Sequence, residues 1–289
     1  MCAQCAVALP AGTRARWFAD TRTVQCLPCV EGAAAQAAPE PPPPPAPVVP
    51  QPSSAGASAQ REYERRSARE LAKKKKAVEE DRAWREQIKQ ERPVLGRVAA
   101  FMTEKPTITP ESQSTKAWKV GAEGERRVGE RLDGLEDVLA LHDLAVPNSR
   151  ANIDHIAIAA TGLYVVDAKK YKGQIECRNV GGFFKPDNRL FVGGRDRTKL
   201  VDGVLKQMEI VRNVLGADND DVPIRGALCF VEGEFGLMPV YFSVKDVNVV
   251  GLRKLSKALQ APGDLSPERR QQVAQHLSTR LRPAAPGAA

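Results

Sequence analysis

Apolar residues follow two patterns along the chain, one typical of strands and one of helices. Short segments rich in Ile, Val and Tyr predict strands at 138–146, 153–159, 163–169, 174–177, 189–192, 224–231 and 247–250. Apolar residues at helical spacing predict helices after residue 118 and at 198–215, 252–259 and 267–281. This order predicts an α/β domain over residues 118–260, in which helices flank a mixed sheet, and a C-terminal helix within 261–282.

The clearest local feature is a predicted hairpin within residues 152–173, NIDHIAIAATGLYVVDAKKYKG. Its two strands are separated by Ala-Thr-Gly, which favours a tight turn. With residues 161–162 as the turn, counting back along both strands sets Asp154 opposite Lys169. Asp167 then lies one diagonal step away, and alternation places it on the same face as Lys169. A turn of three residues would break this parity.

Two aspartates and a lysine on one face of a mostly buried hairpin are costly unless they are paired or used. Carboxylate oxygens suit Mg²⁺ or Mn²⁺, which complete their shell with water and substrate phosphate. Such an ion would lower the pKa of a bound water, while Lys169 would orient that water or neutralise developing negative charge. Asp154 and Asp167 are therefore candidate metal ligands. The structural alternative is an Asp–Lys ion pair at a sheet edge.

The helix that precedes these strands carries an acid within its apolar stripe. The stripe comprises Gly121, Glu125, Val128, Leu132 and Leu135. Because this stripe faces the sheet, we expect Glu125 to be a third acid of the site. The alternative is a carboxylate at the edge of the stripe that reaches solvent, as we expect of Glu123 on the same helix.

Two C-x-x-C pairs, twenty residues apart, begin the chain and comprise Cys2, Cys5, Cys26 and Cys29. This spacing is typical of a four-cysteine zinc ribbon, in which residues 14–18 and 23–24 would form short strands. Such strands are too small to hold a core without metal. Disulfides are the alternative, and a reducing compartment disfavours them. We predict a zinc-ribbon-like module over residues 1–31.

The segments that separate this module from the α/β domain are polar or of low complexity. Residues 32–59 are rich in Ala and Pro and predict a disordered linker. Residues 60–92 predict a charged, solvated helix, which is either a basic arm for nucleic acid or a spacer. Residues 93–117 predict an irregular connector, and residues 283–289 a disordered tail.

The formal net charge is +8, and fifteen basic residues against ten acidic ones lie between residues 61 and 117. Such a region attracts phosphate backbones without sequence preference. No apolar run reaches the roughly 18 residues of a membrane helix. The N-terminus lacks the basic region and apolar core of a secretory signal. We therefore expect a cytoplasmic protein that has no membrane partner.

Four motifs follow one another within residues 118–235. They are G-x-x-G-E on the first helix, I-D-H on a strand, G-x-Y-V-V-D-x-K on the next strand, and K-x-Y-K-G. This ordered set resembles the nuclease-related domain (NERD) family, a branch of the restriction-endonuclease-like PD-(D/E)XK superfamily. The resemblance implies a restriction-endonuclease-like mixed sheet flanked by helices, with a D…(D/E)-x-K site.

The resemblance also implies a role for each residue of the site. Asp154 and Asp167 would be metal ligands, Lys169 the catalytic lysine, and Glu125 the acid that completes the metal shell through water. Family members more often carry Glu at the position of Asp167, and the shorter side chain changes the metal geometry. Gln207, the only polar member of the stripe on its helix, would reach the metal-bound water or a phosphate. The alternative for Gln207 is a satisfied core amide.

These observations predict a Mg²⁺-dependent nuclease that hydrolyses phosphodiester bonds in DNA. Lys170, Tyr171 and Lys172 directly follow the catalytic strand and are expected to contact the nucleic-acid backbone. One alternative is a catalytically inert nucleic-acid-binding or scaffold protein that acts through the zinc ribbon and the basic helix. Another makes the charged N-terminal arm a protein-interaction module. RNA remains a possible substrate, and a protein a possible partner of that arm.

Overall fold

The computed structural model describes residues 1–35, 54–149, 151–182, 185–236 and 241–284. The chain divides into two compact units, residues 1–48 and 49–289. Most of the predicted linker at 32–59 and of the predicted tail at 283–289 lies outside the described residues.

The N-terminal unit contains two short strands and a helix. Strand β1 (Ala15–Phe18) pairs antiparallel with β2 (Thr23–Cys26), as predicted for the segments between the two cysteine pairs. Helix α1 (Leu27–Ala35) follows and contains Cys29. This helix extends into the predicted linker, because the sequence Glu-Gly-Ala-Ala-Ala contains alanine, the strongest helix former.

The second unit is a mixed α/β structure. Its helices are α2 (Ala57–Glu91), α3 (Leu95–Met102), α4 (Gln113–Asp133), α5 (Thr198–Leu215), α6 (Leu252–Leu259) and α7 (Pro267–Arg280). Its strands are β3 (Leu139–Ala145), β4 (Asn152–Ala159), β5 (Gly162–Lys169), β6 (Gln174–Asn179), β7 (Asn188–Val192), β8 (Arg195–Asp196), β9 (Ile224–Phe230), β10 (Glu234–Phe235), β11 (Phe242–Val244) and β12 (Val247–Gly251).

Six of these strands form the central sheet in the order β11-β12-β9-β5-β4-β3. Strand β9 runs parallel to both β5 and β12, whereas the other neighbours are antiparallel. Strands β10, β6, β7 and β8 form a second, four-stranded sheet. The prediction of a mixed sheet flanked by helices is confirmed.

The two faces of the central sheet carry separate apolar cores, because successive residues of a strand point to opposite faces. On one face, Ile156 and Val165 pack with residues of α5 and α7. On the other face, Ala157 and Val166 pack with residues of α4 and α6. Helices α4 and α5 therefore lie on opposite faces of β4 and β5.

The register of the β4–β5 hairpin differs from the predicted one by two residues. Ala159 lies opposite Gly162, so the turn is formed by residues 160–161 and not by 161–162. Gly162 belongs to β5, where its φ is +130° and an added Cβ would lie 2.6 Å from the carbonyl oxygen of Pro223. The last pair between the two strands is His155 and Val166. Continuing this register by one residue places Asp154 opposite Asp167 rather than opposite Lys169. Because the shift is an even number, no side chain changes face.

Helix α2 packs on the α/β unit and is not the solvated arm that its charge pattern predicts. The backbone N–H of Ser58 donates to Asp143 Oδ2 over 2.8 Å. Further along the helix, the hydroxyl of Tyr63 donates to Glu111 Oε1 over 3.0 Å. Glu70 Oε2 accepts from the backbone N–H of Ser112 over 3.0 Å. These partners are distant in sequence, so the local charge pattern does not reveal them.

The prediction of an irregular connector at 93–117 was wrong for two helical segments. Helix α3 packs against α2 through Gly96 and Ala100, and Arg85 of α2 donates to the carbonyl oxygen of Thr103 over 3.0 Å. Helix α4 begins at Gln113, where the Ser112 hydroxyl caps it by accepting from a backbone N–H.

The start of the predicted disordered tail is also ordered. Pro283 forms an antiparallel bridge with Leu144, and the N–H of Ala284 donates to the carbonyl oxygen of Asp143 over 2.8 Å. The reason is that β3 is an edge strand with unpaired backbone groups, which these residues cover. No helix within the described ranges is both long and apolar enough to cross a membrane.

Candidate active site

The structure brings Asp154, Asp167 and Lys169 together where β4 and β5 separate. Beyond the last paired residues of the hairpin, the N–H of Ala168 donates to Asp154 Oδ2 over 3.0 Å in place of a backbone carbonyl. Lys169 Nζ lies 2.7 Å from Asp167 Oδ2 and donates to the carbonyl oxygen of Ala168 over 3.1 Å. The side chains of Asp167 and Lys169 are 13% and 21% exposed, so this ion pair is partly open to solvent.

Two further oxygens of the predicted site are buried without a hydrogen-bond partner among the described residues. They are Glu125 Oε2 on α4 and Gln207 Oε1 on α5. Gln207 Nε2 donates to the carbonyl oxygen of Asn152 over 3.4 Å, which places this amide near the start of β4. A buried acceptor without a partner costs about 1–3 kcal/mol. These oxygens are therefore suited to accept from a ligand or to coordinate a cation.

The acids of the site influence one another strongly. Burial, followed by the charge of Asp167, raises the pKa of Asp154 to about 7. Burial, followed by the charge of Asp154, raises the pKa of Glu125 to about 9. In the absence of a cation, both carboxyl groups therefore retain protons at a pH where an exposed acid is ionised.

The pKa of Lys169 is also raised, but for a lysine this shift favours the charged form. Burial alone would lower the pKa of its ammonium group, but the charges of Asp167 and Asp154 outweigh burial and raise this pKa above its usual value. Lys169 is thus charged at neutral pH. A charged ammonium donates hydrogen bonds and stabilises negative charge, and it does not accept a proton from water.

The donor set fits a hard divalent cation. Asp154, Asp167, Glu125 and Gln207 offer only oxygen, and two of these oxygens are buried without a partner in the described part of the chain. Among the described residues, the three carboxylates do not form a group whose ligand atoms all lie within 4.8 Å of one another. Mg²⁺ tolerates this spacing, because it commonly binds through one or two carboxylates and retains several waters.

His155, which follows Asp154, lies on the other face of β4 and is fully buried. Its Nδ1 lies 2.9 Å from Nδ1 of His142, whose Nε2 lies 2.9 Å from Asp133 Oδ1. Burial lowers the pKa of His155 well below its usual value. The lowered pKa keeps His155 neutral, and the alternation of side chains along β4 accounts for its position on the face opposite Asp154.

Asp143 is a buried acid near the site that the sequence analysis did not select. Its side chain is fully buried and accepts from Asn152 Nδ2 over 2.7 Å. Its charge contributes to the raised pKa values of Glu125 and Asp154. The sequence signal that could have identified Asp143 is the presence of a charged residue within the predicted strand 138–146.

The three residues predicted to contact nucleic acid have different surroundings. Lys170 Nζ lies 2.6 Å from Glu123 Oε2 and 3.4 Å from Glu232 Oε1, so its charge is already neutralised. Tyr171 packs edge-on against Phe230, with ring centroids 6.2 Å apart. Lys172 is exposed.

The four N-terminal cysteines form a compact group, with all four sulfur atoms within 4.8 Å of one another. None of them forms a disulfide. The backbone N–H of Cys26 donates to Cys2 Sγ over 3.3 Å, and hydrogen bonds from backbone N–H groups, this one foremost, lower the pKa of Cys2 to about 6. A thiolate within four clustered sulfurs is compatible with a zinc site.

The mixed sheet and its flanking helices are compatible with a restriction-endonuclease-like fold, and its acids and lysine lie at the ends of two adjacent strands. Residues 120–231 match the model of the family described as NERD, nuclease-related domain. The matched segment contains every residue of the site from Glu125 to Gln207. Neither the curated proteins nor the solved structures include a match.

Proposed function

We propose that this protein is a metal-dependent nuclease that hydrolyses phosphodiester bonds in DNA. The observation that carries the proposal is the meeting of Asp154, Asp167 and Lys169 at the ends of adjacent strands, in a segment that matches a nuclease-related domain. The buried oxygens of Glu125 and Gln207, which have no partner in the described residues, add acceptors to the same region.

Asp154 and Asp167 would hold a Mg²⁺ or Mn²⁺ ion, with Glu125 supporting it through water and Gln207 positioning a water or a phosphate. When bound, the ion would lower the pKa of a water and neutralise charge on the phosphate. Ionised Asp154 and Asp167 then orient the attacking water by accepting its hydrogen bonds. By holding the cation, their carboxylates would also position the phosphate indirectly.

In this mechanism Lys169 acts as a charged hydrogen-bond donor. Its raised pKa keeps the ammonium group charged, so it stabilises the extra negative charge that develops on the phosphate oxygens as water adds. Its ion pair with Asp167 fixes the position of Nζ before the substrate arrives. Because Lys169 is already protonated, the proton of the attacking water would pass to solvent, while the P–O bond to the leaving sugar oxygen breaks and that oxygen takes up a proton from solvent.

The segment that follows Lys169 would hold the DNA backbone. Tyr171 offers an aromatic ring and Lys172 an exposed charge, whereas Lys170 must first exchange its glutamate partners for phosphate. Sequence-independent contacts of this kind position the strand and do not select bases.

We also propose that Cys2, Cys5, Cys26 and Cys29 hold one zinc ion as a structural site. Four thiolates satisfy the tetrahedral preference of zinc and leave no open position for catalysis. A reducing compartment would keep these thiolates available to the metal.

The experiment that tests the nuclease is cleavage of supercoiled and linear DNA by the purified chain with Mg²⁺, Mn²⁺ or EDTA. We expect cleavage with either metal and none with EDTA or in Asp167→Ala. Asp187→Ala is the matched control, because Asp187 is also ion-paired but lies in the second sheet region. Cleavage that persists in Asp167→Ala would contradict the assignment, and no cleavage by the wild type would favour the inert nucleic-acid-binding alternative.

A further inference from the structure

A cavity of about 390 Å³ opens where the chain leaves β5. It is basic, since four of its lining residues are cations and none is an acid. The residues that define it are Lys170, Tyr171, Lys172, Gly193, Arg195 and Arg197. A cavity with this lining is suited to an anion.

Three of these cations have no counter-charge within the described part of the chain. Among the described residues, Lys172, Arg195 and Arg197 form no ion pair. By contrast, Arg189 on the adjacent strand lies 2.7 Å from Asp187 and 3.4 Å from Asp196. Like charges that converge without counter-charges repel one another, and an anion between them removes this cost.

Arg197 is the most constrained of the three. Its Cζ lies 5.4 Å from the ring centroid of Tyr171, and its backbone N–H donates to the carbonyl oxygen of Leu190 over 2.8 Å. Its Nε is buried and has no acceptor in the described part of the chain. A buried N–H donor without an acceptor is costly, so a ligand oxygen that reaches it contributes more than it would at an exposed arginine.

The walls of the cavity are held by two tight turns that touch. Gly173 has a φ of +101°, and a Cβ added there would lie 3.1 Å from Cα of Gly193. The N–H of Gly193 donates to the carbonyl oxygen of Gln174 over 2.9 Å. These contacts bring the residues after β5 and those before α5 to one place, which local sequence patterns do not reveal.

We infer that this cavity is a phosphate subsite, which holds one phosphate group of the nucleic-acid strand near the bond that is cut. The inference rests on the proposed function. Lys172 follows Lys169 by three residues, a separation of at most about 11 Å. The cavity is therefore close enough to Lys169 for phosphates of one strand to occupy both places.

Arginine suits this task because its planar fork donates two parallel hydrogen bonds to phosphate oxygens. Two sources of phosphate present this chemistry: an internal phosphodiester and a terminal phosphomonoester. The subsite would accept either kind of phosphate through the same donors. Which kind it binds decides whether the protein prefers strand ends or internal positions.

The test is fluorescence anisotropy of DNA duplexes labelled at the 3′ end, with the full chain and EDTA, so that binding is measured without cleavage. The variants are Arg195→Ala, Arg197→Ala and the conservative Arg197→Lys. Arg212→Ala removes an equal charge from an exposed site on α5 and is the matched control. Thermal unfolding of each variant establishes that it is folded.

We expect Arg195→Ala and Arg197→Ala each to weaken binding about tenfold, the scale of one charge-assisted hydrogen bond. The slope of log affinity against log salt should fall by about 0.9 for each, as expected when one phosphate contact is lost. Arg197→Lys should retain the salt slope and lose part of the affinity. Arg212→Ala should leave both unchanged.

Duplexes with and without a 5′-phosphate distinguish the two sources. A loss confined to phosphorylated duplexes supports the terminal source, and an equal loss with duplexes that lack the 5′-phosphate supports the internal one. Wild-type binding that Arg195→Ala and Arg197→Ala leave unchanged would overturn the subsite while the nuclease proposal stands. Absence of DNA binding by the wild type would instead overturn the proposed function.

Discussion

Lys169 Nζ lies 2.7 Å from Asp167 Oδ2, in the part of β5 that continues beyond its pairing with β4. The two side chains share a face because they are separated by two residues on one strand. Their mutual attraction keeps the lysine charged despite its burial. This ion pair fixes a donor beside a group of acids, which is the arrangement that the proposed chemistry requires.

Glu125→Gln should weaken cleavage without unfolding the protein. Glutamine keeps the shape of the side chain but lacks the charge that supports a cation, and loss of a supporting ligand typically costs about 10–100-fold in activity or metal affinity. The measurement is the cleavage rate as a function of Mg²⁺ concentration, in which the half-saturating concentration should rise.

Glu123→Gln is the matched control on the same helix, because the side chain of Glu123 is 43% exposed and pairs with Lys170. It should leave the Mg²⁺ dependence unchanged. Equal effects of the two substitutions would show that Glu125 does not act on the metal.

The metal-free protein should lose stability as the pH rises from 5 to 8. The pKa values of Asp154 and Glu125 are raised to about 7 and about 9, so the folded state holds protons that the unfolded state releases. Their stabilising contribution is complete below the unfolded pKa values and is lost as pH rises through the folded ones. The charges of Asp167 and Asp143 act in the same direction, whereas that of Lys169 opposes them.

Urea unfolding in EDTA should show this loss as a fall of the order of a few kcal/mol in the free energy of unfolding. Mg²⁺ should restore stability more at pH 8 than at pH 5, because it binds the ionised acids. Asp154→Asn should flatten the pH dependence. An identical slope in the wild type and in this variant would be evidence against the coupling.

Asp143→Asn should loosen the attachment of α2. Asn tolerates the left-handed backbone of this residue, where φ is +50°, but it presents an amide in place of a carboxylate that accepts from Ser58 N and Ser58 Oγ. Leaving such donors unsatisfied costs about 1–3 kcal/mol. Urea unfolding measures the cost, and proteolysis within α2 should accelerate.

Asp187→Asn provides the comparison, because Asp187 forms an exposed ion pair with Arg189. Its effect on the free energy of unfolding should stay below about 1 kcal/mol. If both variants have equal stability and proteolysis rates, α2 is not anchored through Asp143.

The purified chain should contain one zinc ion, and Cys26→Ser should lose it. The four cysteine sulfurs lie close enough to surround a single ion, and serine is a poor ligand for zinc. Elemental analysis after dialysis measures the zinc content. Cys177→Ser is the control, since Cys177 is an exposed cysteine outside the group. Equal zinc content in the two variants would place the metal elsewhere.

The face shared by Asp154, Asp167 and Lys169 could be predicted because alternation along a strand depends only on parity. The turn was misplaced because Gly162, a typical turn residue, is required instead for the close approach of β5 to Pro223. An error of two residues in register leaves the face unchanged, so the shared face was predicted correctly and the register wrongly.

The docking of α2 and the basic cavity could not be predicted, because both depend on residues far apart in sequence. Ser58 contacts Asp143, which lies 85 positions away in the sequence. The charge pattern of α2 is equally typical of a solvated helix. Arg195 and Arg197 join Tyr171 only because two glycine turns touch. Periodicity reports which side of an element is buried, and it does not report which loops meet.

The most direct measurement of the central claim is the single-turnover rate of DNA cleavage with Mg²⁺ by the wild type, Lys169→Gln and Lys206→Gln. Lys206 is an exposed lysine of α5 and provides the matched control. The ammonium of Lys169 should stabilise the transition state, so Lys169→Gln should be about 10²–10³-fold slower and Lys206→Gln unchanged. Equal rates for the wild type and Lys169→Gln would contradict the assignment of nuclease chemistry to this site.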